Sequence, residues 1–342
     1  MKGKKIITFV LCVLLSLGLI ATQEISIFAF AEGADPAAIT SLPSSVDLSS
    51  QFPTPSMQIG GSCSAWATCY ALMSQAEYRE YHWTVNNTTH AFSPQYLYYQ
   101  IGNGSGFTSN IYNYASKLKS QGCCTLPYYP IISQESSLTS PSNLQKENAK
   151  LYKVASYQTV IGLNNMKKKL ANGCGIAVEI LAYDSFEQMT PANNVYSSIN
   201  TSENSKGHSL CVVGYDDNLY GGVVKVLNSW GTDWGLNGYA YITYNVFGQI
   251  CYGGLGSLNL VRGLVITSLS PDTFLLGDVD GDGSVSAIDA RLVLRFSVSL
   301  EVLTDAQQAI ADVNGDGEAD AQDASSILSY SVGSISMFPL YN

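Results

Sequence analysis

The feature that most limits what this chain can fold into is a gapless internal repeat near its end. Gly277–Val298 and Ala311–Val332 align at an offset of 34 residues, with about half the positions identical. Each copy sets oxygen-bearing side chains at alternate positions, Asp278-Val279-Asp280-Gly281-Asp282-Gly283-Ser284 and Asp312-Val313-Asn314-Gly315-Asp316-Gly317-Glu318. A carboxylate closes each loop at position 12, Asp289 and Asp323. Alternate side chains converge on one point, and glycine permits the sharp turn, an arrangement suited to Ca²⁺ and its roughly six to eight oxygen ligands. The candidate ligands are Asp278, Asp280, Asp282, Ser284 and Asp289 in one loop, and Asp312, Asn314, Asp316, Glu318 and Asp323 in the other. A polar turn without metal is the competing reading for one such loop; two in register argue against it. Helical patterns follow each loop, over Ala290–Val298 and Ala324–Val332, and the residues before Asp278 read as linker. Two copies are too few for a solenoid, so the repeat makes a small all-α module with two structural calcium ions.

Charge divides the chain at the same place. Residues 275–342 carry eleven Asp/Glu and two Arg, whereas residues 32–274 carry fifteen and twelve. A break this sharp marks a separate acidic module, and the overall charge of −10 disfavours nucleic acid, whose phosphates need clustered Lys/Arg. At the other end, Lys2, Lys4 and Lys5 precede the apolar run Ile6–Ala21, and Ala29-Phe30-Ala31 places small residues at a cleavage site. That order is a secretory signal over residues 1–31, with a membrane anchor as the competing reading; no other stretch approaches the roughly 20 apolar residues of a span. The expected domains are thus 1–31 signal, 32–265 main domain, 266–274 linker and 275–342 acidic module, secreted and free of the membrane once the signal is removed. Seven of the eight cysteines survive signal removal; an odd count in a secreted chain leaves at least one thiol unpaired.

Between these ends the pattern changes from helical to extended. Cys63 to Glu80 lacks Pro and Gly, with Ser62 as N-cap, and further helices are expected near Asn110–Ser120 and ending at Lys167–Ala171. Ile176–Ile180, Ser209–Gly214, Val223–Leu227 and Tyr239–Tyr244 are short β-branched or aromatic runs bounded by turn residues. Helices first and strands second imply α+β.

Cys63 lies just after Gly60-Gly61-Ser62, at the start of a helix. Free backbone N–H groups and the helix dipole favour a thiolate there and offer donors to an oxyanion. On this segment alone a buried structural cysteine competes evenly; Cys69, almost two turns inside, reads as core. A nucleophile needs a base, and the chain has only His82, His90 and His208. His82 and His90 sit in a polar stretch and read as surface residues. His208 opens the strand Ser209–Gly214, and Asn228 precedes Ser229-Trp230-Gly231 after another apolar strand. An Asn carbonyl can hold an imidazole in one tautomer, and Trp230 can shield that bond from water, which completes nucleophile, base and orienter.

These three segments, in this order, resemble the papain family of cysteine peptidases over roughly residues 42–265. Leu42-Pro43-Ser44-Ser45-Val46-Asp47 is similar to its mature N-terminus and Phe92-Ser93-Pro94-Gln95-Tyr96-Leu97 to its second helix. The resemblance implies a two-lobed fold, one lobe helical and one β-barrel-like, and peptide-bond hydrolysis through an acyl-enzyme on Cys63 without a catalytic cofactor. Its oxyanion-hole glutamine falls six residues before the cysteine, where this chain has Met57; the role passes to Gln58, one residue later. Ser64 stands where plant and animal members usually have Trp, a position at which several bacterial members vary. Only residues 32–41 separate the expected signal from the resemblance, too few for a long inhibitory propeptide. Gly104-Ser105-Gly106 offers either an edge for substrate backbone or a plain loop. A lapsed catalyst kept as a binding or structural protein, and a transferase on the same fold, are the competing functions.

The acidic module resembles a type I dockerin, which implies a cohesin domain on a scaffold protein of cellulosome type as partner. Loop positions 10 and 11, Ala287-Ile288 and Ala321-Gln322, are its expected contacts, with Arg291 and Arg295 on the first helix alone. The first repeat is therefore expected to bind more strongly.

Overall fold

The computed structural model of the chain describes residues 41–85, 90–102, 109–270 and 275–341. The expected signal over residues 1–31 and the Gly104-Ser105-Gly106 edge lie outside the described residues. Short strand β1 (Ser45–Asp47) leads into one continuous helical rod formed by α1 (Cys63–Ala65), a π-helical stretch (Trp66–Met73) and α2 (Ser74–Tyr81). All eight residues of the π-helical stretch are buried, as suits a rod enclosed on every side. The rod ends at His82, which takes a left-handed conformation (φ 59°) and is exposed.

Helices α3 (Pro94–Gly102), α4 (Ile111–Gln121) and α5 (Asn143–Leu151) complete a helical lobe. Asn110 caps α4 by accepting from the Asn113 N–H at 2.9 Å, which satisfies one of the donors orphaned at a helix start. Gly122 stops α4 at φ +77°, where a Cβ would fall 1.8 Å from the Ala149 carbonyl oxygen. Only glycine lets α4 end against α5 so closely.

The second lobe is a sheet. Its elements are β2 (Val154–Ile161), α6 (Leu163–Ala171), β3 (Ile176–Tyr183), α7 (Asp184–Glu187), β4 (Val195–Tyr196), β5 (Ser205–Asp216), β6 (Val223–Leu227), β7 (Tyr239–Thr243), α8 (Tyr244–Ile250) and β8 (Arg262–Leu269). Strand order is β2-β8-β3-β5-β6-β7-β4, with β1 paired to β5. Among the described residues this is an open path, so the barrel-like expectation becomes a sheet that does not close. Ile176, Ala177 and Val178 on β3, and Leu210 to Val213 on β5, are all buried. Central strands covered on both faces read as continuous apolar runs, which is why they were visible in sequence. β8 corrects the linker expectation. Leu264, Val265 and Ile266 are buried and pair with β2 through Leu269, so the sheet takes up residues 266–269. In the sequence, Ser268, Ser270, Pro271 and Asp272 are turn-forming types, which disguises the strand. No helix among the described residues is long and apolar enough to cross a membrane.

The acidic segment folds as α9 (Ala287–Ser297), α10 (Asp305–Ala311) and α11 (Ala321–Ser331) around Val279, Val293, Val313, Ile327 and Phe338. α10 precedes the second loop and was not anticipated; two turns are too short to show a 3.6-residue period. Capping boxes start α9 and α11: Asp289 and Asp323 reach back to the N-cap residues Ser286 and Asp320.

This segment does not hang free. α10 packs on α5, Tyr128 donates its hydroxyl hydrogen bond to Asp312, and the His90 Nε2–H donates to the Leu340 carbonyl at 2.8 Å. Leu340 is fully buried and belongs to the main core. His90 is consequently buried against Trp83, ring centroids 5.4 Å apart, not on the surface. Its polar neighbours in sequence concealed a partner 250 residues away.

Candidate active site

Cys63 is the first residue of α1, half-buried, with a free thiol. Ser62 occupies the N-cap, but its hydroxyl donates to the Ile59 carbonyl at 2.5 Å and makes no cap bond. The first N–H groups of the helix are therefore left for another acceptor, which is what a site for developing negative charge requires. Cys69, the rival, is fully buried and bonded to the Ser93 carbonyl at 3.3 Å. Burial also raises its thiol pKa.

β5 carries His208, and β6 runs alongside it to end just before Asn228. His208 Nε2 lies 2.7 Å from Asn228 Oδ1. An amide oxygen accepts, so Nε2 carries the proton and Nδ1 is left for the cleft. The same oxygen accepts from the Ser229 N–H at 2.8 Å, while buried Nδ2 finds no partner among the described residues. An orphaned buried donor is costly; here the amide is held for its oxygen. Trp230 stacks on the imidazole with centroids 4.3 Å apart and planes at 29°. Enclosure of this kind disfavours the imidazolium. Burial brings the His208 pKa down to about 4, opposed by the Asn228 bond and assisted by the positive charge of Lys206. The ring takes up a proton most readily when a negative charge forms beside it.

Cys63, His208 and Gln58 line a single cavity of about 1040 Å³ between the lobes. Gln58 is fixed three ways. Its N–H donates to the Ser229 carbonyl at 2.8 Å, its Oε1 accepts from the Ser229 hydroxyl at 2.7 Å, and its Nε2 donates to the Gly60 carbonyl at 2.9 Å. Met57 bridges to Trp230 on the outside and is 57% exposed. The one-residue shift of the glutamine thus still brings an amide into the cleft. Two hydroxyls that sequence reasoning missed lie alongside. Ser64 and Ser209 follow Cys63 and His208, and their Oγ atoms are 2.8 Å apart. Nothing local in the sequence signals that pair, because 145 residues separate them.

In the acidic segment, carboxylate oxygens of Asp278, Asp280 and Asp282 come within 4.8 Å of one another. Asp289 Oδ1 accepts from the Val279 and Asp280 N–H groups, and its Oδ2 from the Ser286 N–H. Asp323 does the same for Val313, Asn314 and Asp320. Both position-12 residues thereby tie the loop ends together. Burial, reinforced by Asp323, raises the Asp312 pKa to about 7; burial, reinforced by Asp316, raises that of Asp323 to about 6. Carboxylates crowded and desolvated in this way are relieved by a divalent cation, and the all-oxygen donor set fits Ca²⁺. Ser284 Oγ is turned toward Asp282 at 2.6 Å and Asn314 Nδ2 toward Asp316 at 3.1 Å; Glu318 offers its N–H to Asp316. Ala287, Ile288, Ala321 and Gln322 are all exposed, as is Arg291, while Arg295 is paired with Glu301 at 3.2 Å.

Comparison with known proteins agrees with this geometry. The model of the papain family cysteine protease matches residues 42–252, and that of the dockerin type I domain matches residues 276–330. Cathepsin K of Gallus gallus is 28% identical over 194 residues, covering 54% of this chain and 53% of its own. An uncharacterized peptidase C1-like protein of Acanthamoeba polyphaga mimivirus is 32% identical over 84 residues, 24% of this chain and 26% of its own. The chain therefore spans about a quarter to a half of the curated relatives it matches. Two solved structures share the fold: xylellain, a cysteine protease from Xylella fastidiosa (TM-score 0.55, 21% identity, 67% of this chain and 88% of that one), and procathepsin B S9 from Trypanosoma congolense (TM-score 0.53, 15% identity, 68% and 80%). With the family's model spanning more than half of its length, the chain belongs to the papain family of cysteine proteases and carries a type I dockerin domain behind the protease domain.

Proposed function

We propose that this chain is a secreted cysteine endopeptidase held on a scaffold protein through its acidic module. The observation that carries the reading is the shared cavity, whose wall holds both a helix-start cysteine and an imidazole fixed by an amide oxygen. Cys63 Sγ attacks the peptide carbonyl carbon. The oxyanion that forms is met by the N–H groups at the start of α1 and by Gln58 Nε2. His208, charged as the thiolate forms, passes the proton from Nδ1 to the leaving amine as the C–N bond breaks, leaving a thioester on Cys63. A water then gives its proton to Nδ1 and attacks the acyl carbon, and the thiol is restored as the acid leaves. Asn228 holds the ring throughout.

The charged and apolar N-terminal run supports export. The loop oxygens support two structural Ca²⁺ ions, held by Asp278, Asp280, Asp282, Ser284 and Asp289, and by Asp312, Asn314, Asp316, Glu318 and Asp323. Ala287, Ile288, Ala321 and Gln322, on the exposed starts of α9 and α11, are the contacts offered to a cohesin domain. The apolar surface near the first repeat is the larger, with Leu294 50%, Val298 57% and Leu300 65% exposed, and it favours stronger binding through that repeat.

An epoxide or vinyl-sulfone peptide is expected to label Cys63 stoichiometrically, with peptide turnover abolished in Cys63→Ala. Absence of both label and turnover would leave a lapsed, purely structural domain. Transfer of the acyl group to added amines in preference to water would instead mark a transferase.

A further inference from the structure

Resting on the reading of the cleft as a peptidase site, we infer that Glu179 makes that cleft select peptides with a lysine or arginine side chain close to the scissile bond. Glu179 interrupts an otherwise apolar strand: its neighbours Val178 and Ile180 are buried, and the rest of Ile176–Ala182 is aliphatic. A strand that served only the core would carry another aliphatic residue here. The carboxylate is instead half-buried in the cavity wall that Cys63 and His208 also line.

Its position is fixed by the sheet. Glu179 pairs with Ser209 and Ile180 with His208 across the β3–β5 register. Glu179 therefore lies across from Ser209, the residue that follows His208, and lines the same cavity as the imidazole. Its backbone carbonyl accepts from the Tyr252 N–H at 2.8 Å, so the strand has little freedom to turn the side chain elsewhere.

What Glu179 lacks is a cation. The one hydrogen bond to its carboxylate among the described residues is a long one, from the Ile111 N–H at 3.4 Å. The cavity is also lined by Lys206 and Arg262, and neither forms an ion pair with Glu179. Lys206 pairs with Glu187 at 2.8 Å. Arg262 is exposed, its stem lies against Gly253, and it forms no ion pair with Glu179. Burial raises the Glu179 pKa, the mark of a carboxylate whose ionised form is undercompensated. An ammonium or guanidinium entering the cleft would supply the missing charge and form charge-assisted hydrogen bonds to it. A neutral or acidic side chain would leave the carboxylate desolvated and unpaired.

The test is a set of fluorogenic peptides with lysine, arginine, leucine or glutamate scanned through the three positions on either side of the scissile bond. The full chain, Glu179→Gln and Arg262→Gln are compared by kcat/KM. Gln keeps an acceptor for the Ile111 N–H, so the start of α4 is preserved. We expect the wild type to prefer lysine or arginine over leucine at one position by at least about tenfold, and the ratio to fall to about one in Glu179→Gln. Arg262→Gln should keep or sharpen the preference. The proposal is overturned if the preference survives in Glu179→Gln, if that variant lowers every peptide alike, or if glutamate is preferred and Arg262→Gln abolishes it. In each of those cases the peptides are still cut. Loss of all turnover together with loss of Cys63 labelling in the wild type would overturn the peptidase reading itself, and this inference with it.

Discussion

The Oγ atoms of Ser64 and Ser209 lie 2.8 Å apart, joining the residue after Cys63 to the residue after His208. This contact spans the two lobes beside the reacting pair. It also accounts for the small residue at position 64, since a bulky side chain there would remove the hydroxyl and occupy its partner's space. Both serines are buried. Ser209→Ala leaves the Ser64 hydroxyl without that partner, at about 1–3 kcal/mol. We expect stability to fall by that order in urea titrations, and kcat to fall by roughly tenfold as the cysteine and the imidazole lose register. Unchanged kcat in a variant with reduced stability would restrict the pair to a structural role.

Burial of His208 predicts a dependence of stability on acidity. Its folded pKa is about 4, against about 6.5 for the unfolded side chain. The unfolded chain therefore binds the proton first as pH falls. The stabilisation is complete above about pH 6.5, declines through the interval down to about pH 4, and is gone below it, a total of about 3 kcal/mol. Denaturant titrations at saturating calcium should show a steeper loss between pH 6 and pH 5 for the wild type than for His208→Gln. Equal slopes would mean that the ring is hydrated in the folded protein.

Thiol reactivity should follow burial. Seven described cysteines are free, and Cys69, Cys123, Cys124, Cys211 and Cys251 are buried, with burial raising the pKa of each. Cys174 is half-buried beside Arg79. Iodoacetamide on the native protein is expected to modify Cys63 first and Cys174 more slowly, and to leave the other five until denaturant is added. Peptide mass spectrometry reads the order directly. Rapid modification of any of the five would show that the core opens locally.

Calcium removal should act first on α9 and α11. Without a cation, the raised Asp312 and Asp323 carboxylates repel one another in a desolvated site. We expect chelation to lower the melting temperature of the acidic segment and its helical signal, and added calcium to restore both. Tyr128→Phe removes the hydrogen bond to Asp312 and should loosen the segment from the helical lobe, seen as faster amide exchange in α10. A chelated protein melting as before would argue against metal in these loops.

Selectivity between the two repeats is open to a matched pair of substitutions. Ile288→Asp is expected to weaken binding of a cohesin domain by more than Gln322→Asp, as measured by calorimetry. Equal losses would make the two faces equivalent.

What could be read in advance depended on how far apart the cooperating residues lie. Cys63, His208 and Asn228 each belong to a short local pattern, so their types and order were visible, and the structure places the first two in one cavity and the last two in hydrogen-bond contact. The acidic loops of the two repeats lie in register, so their pattern too is visible in the sequence. Glu179, Ser64 with Ser209, and Ser229 with Gln58 acquire meaning only through strand pairing and lobe contact, which composition and periodicity do not encode. His90 reads as a surface residue because its sequence neighbours are polar, while its partner is Leu340. The end of β8 reads as linker in the sequence because a strand end rich in Ser resembles a turn. α10 escaped notice because seven residues are too few to display a period.

The seating of the acidic segment bears on where the protease points. α10 rests on α5, Leu340 is sunk in the main core, and Tyr128 reaches Asp312, so the segment is bolted to the helical lobe at several places. The starts of α9 and α11 remain exposed. A body that grips them would hold the whole molecule by a fixed bracket and not by a swinging cord. The mouth of the cleft would then keep one bearing toward its carrier, and the reach of the enzyme would be set by the carrier's own joints.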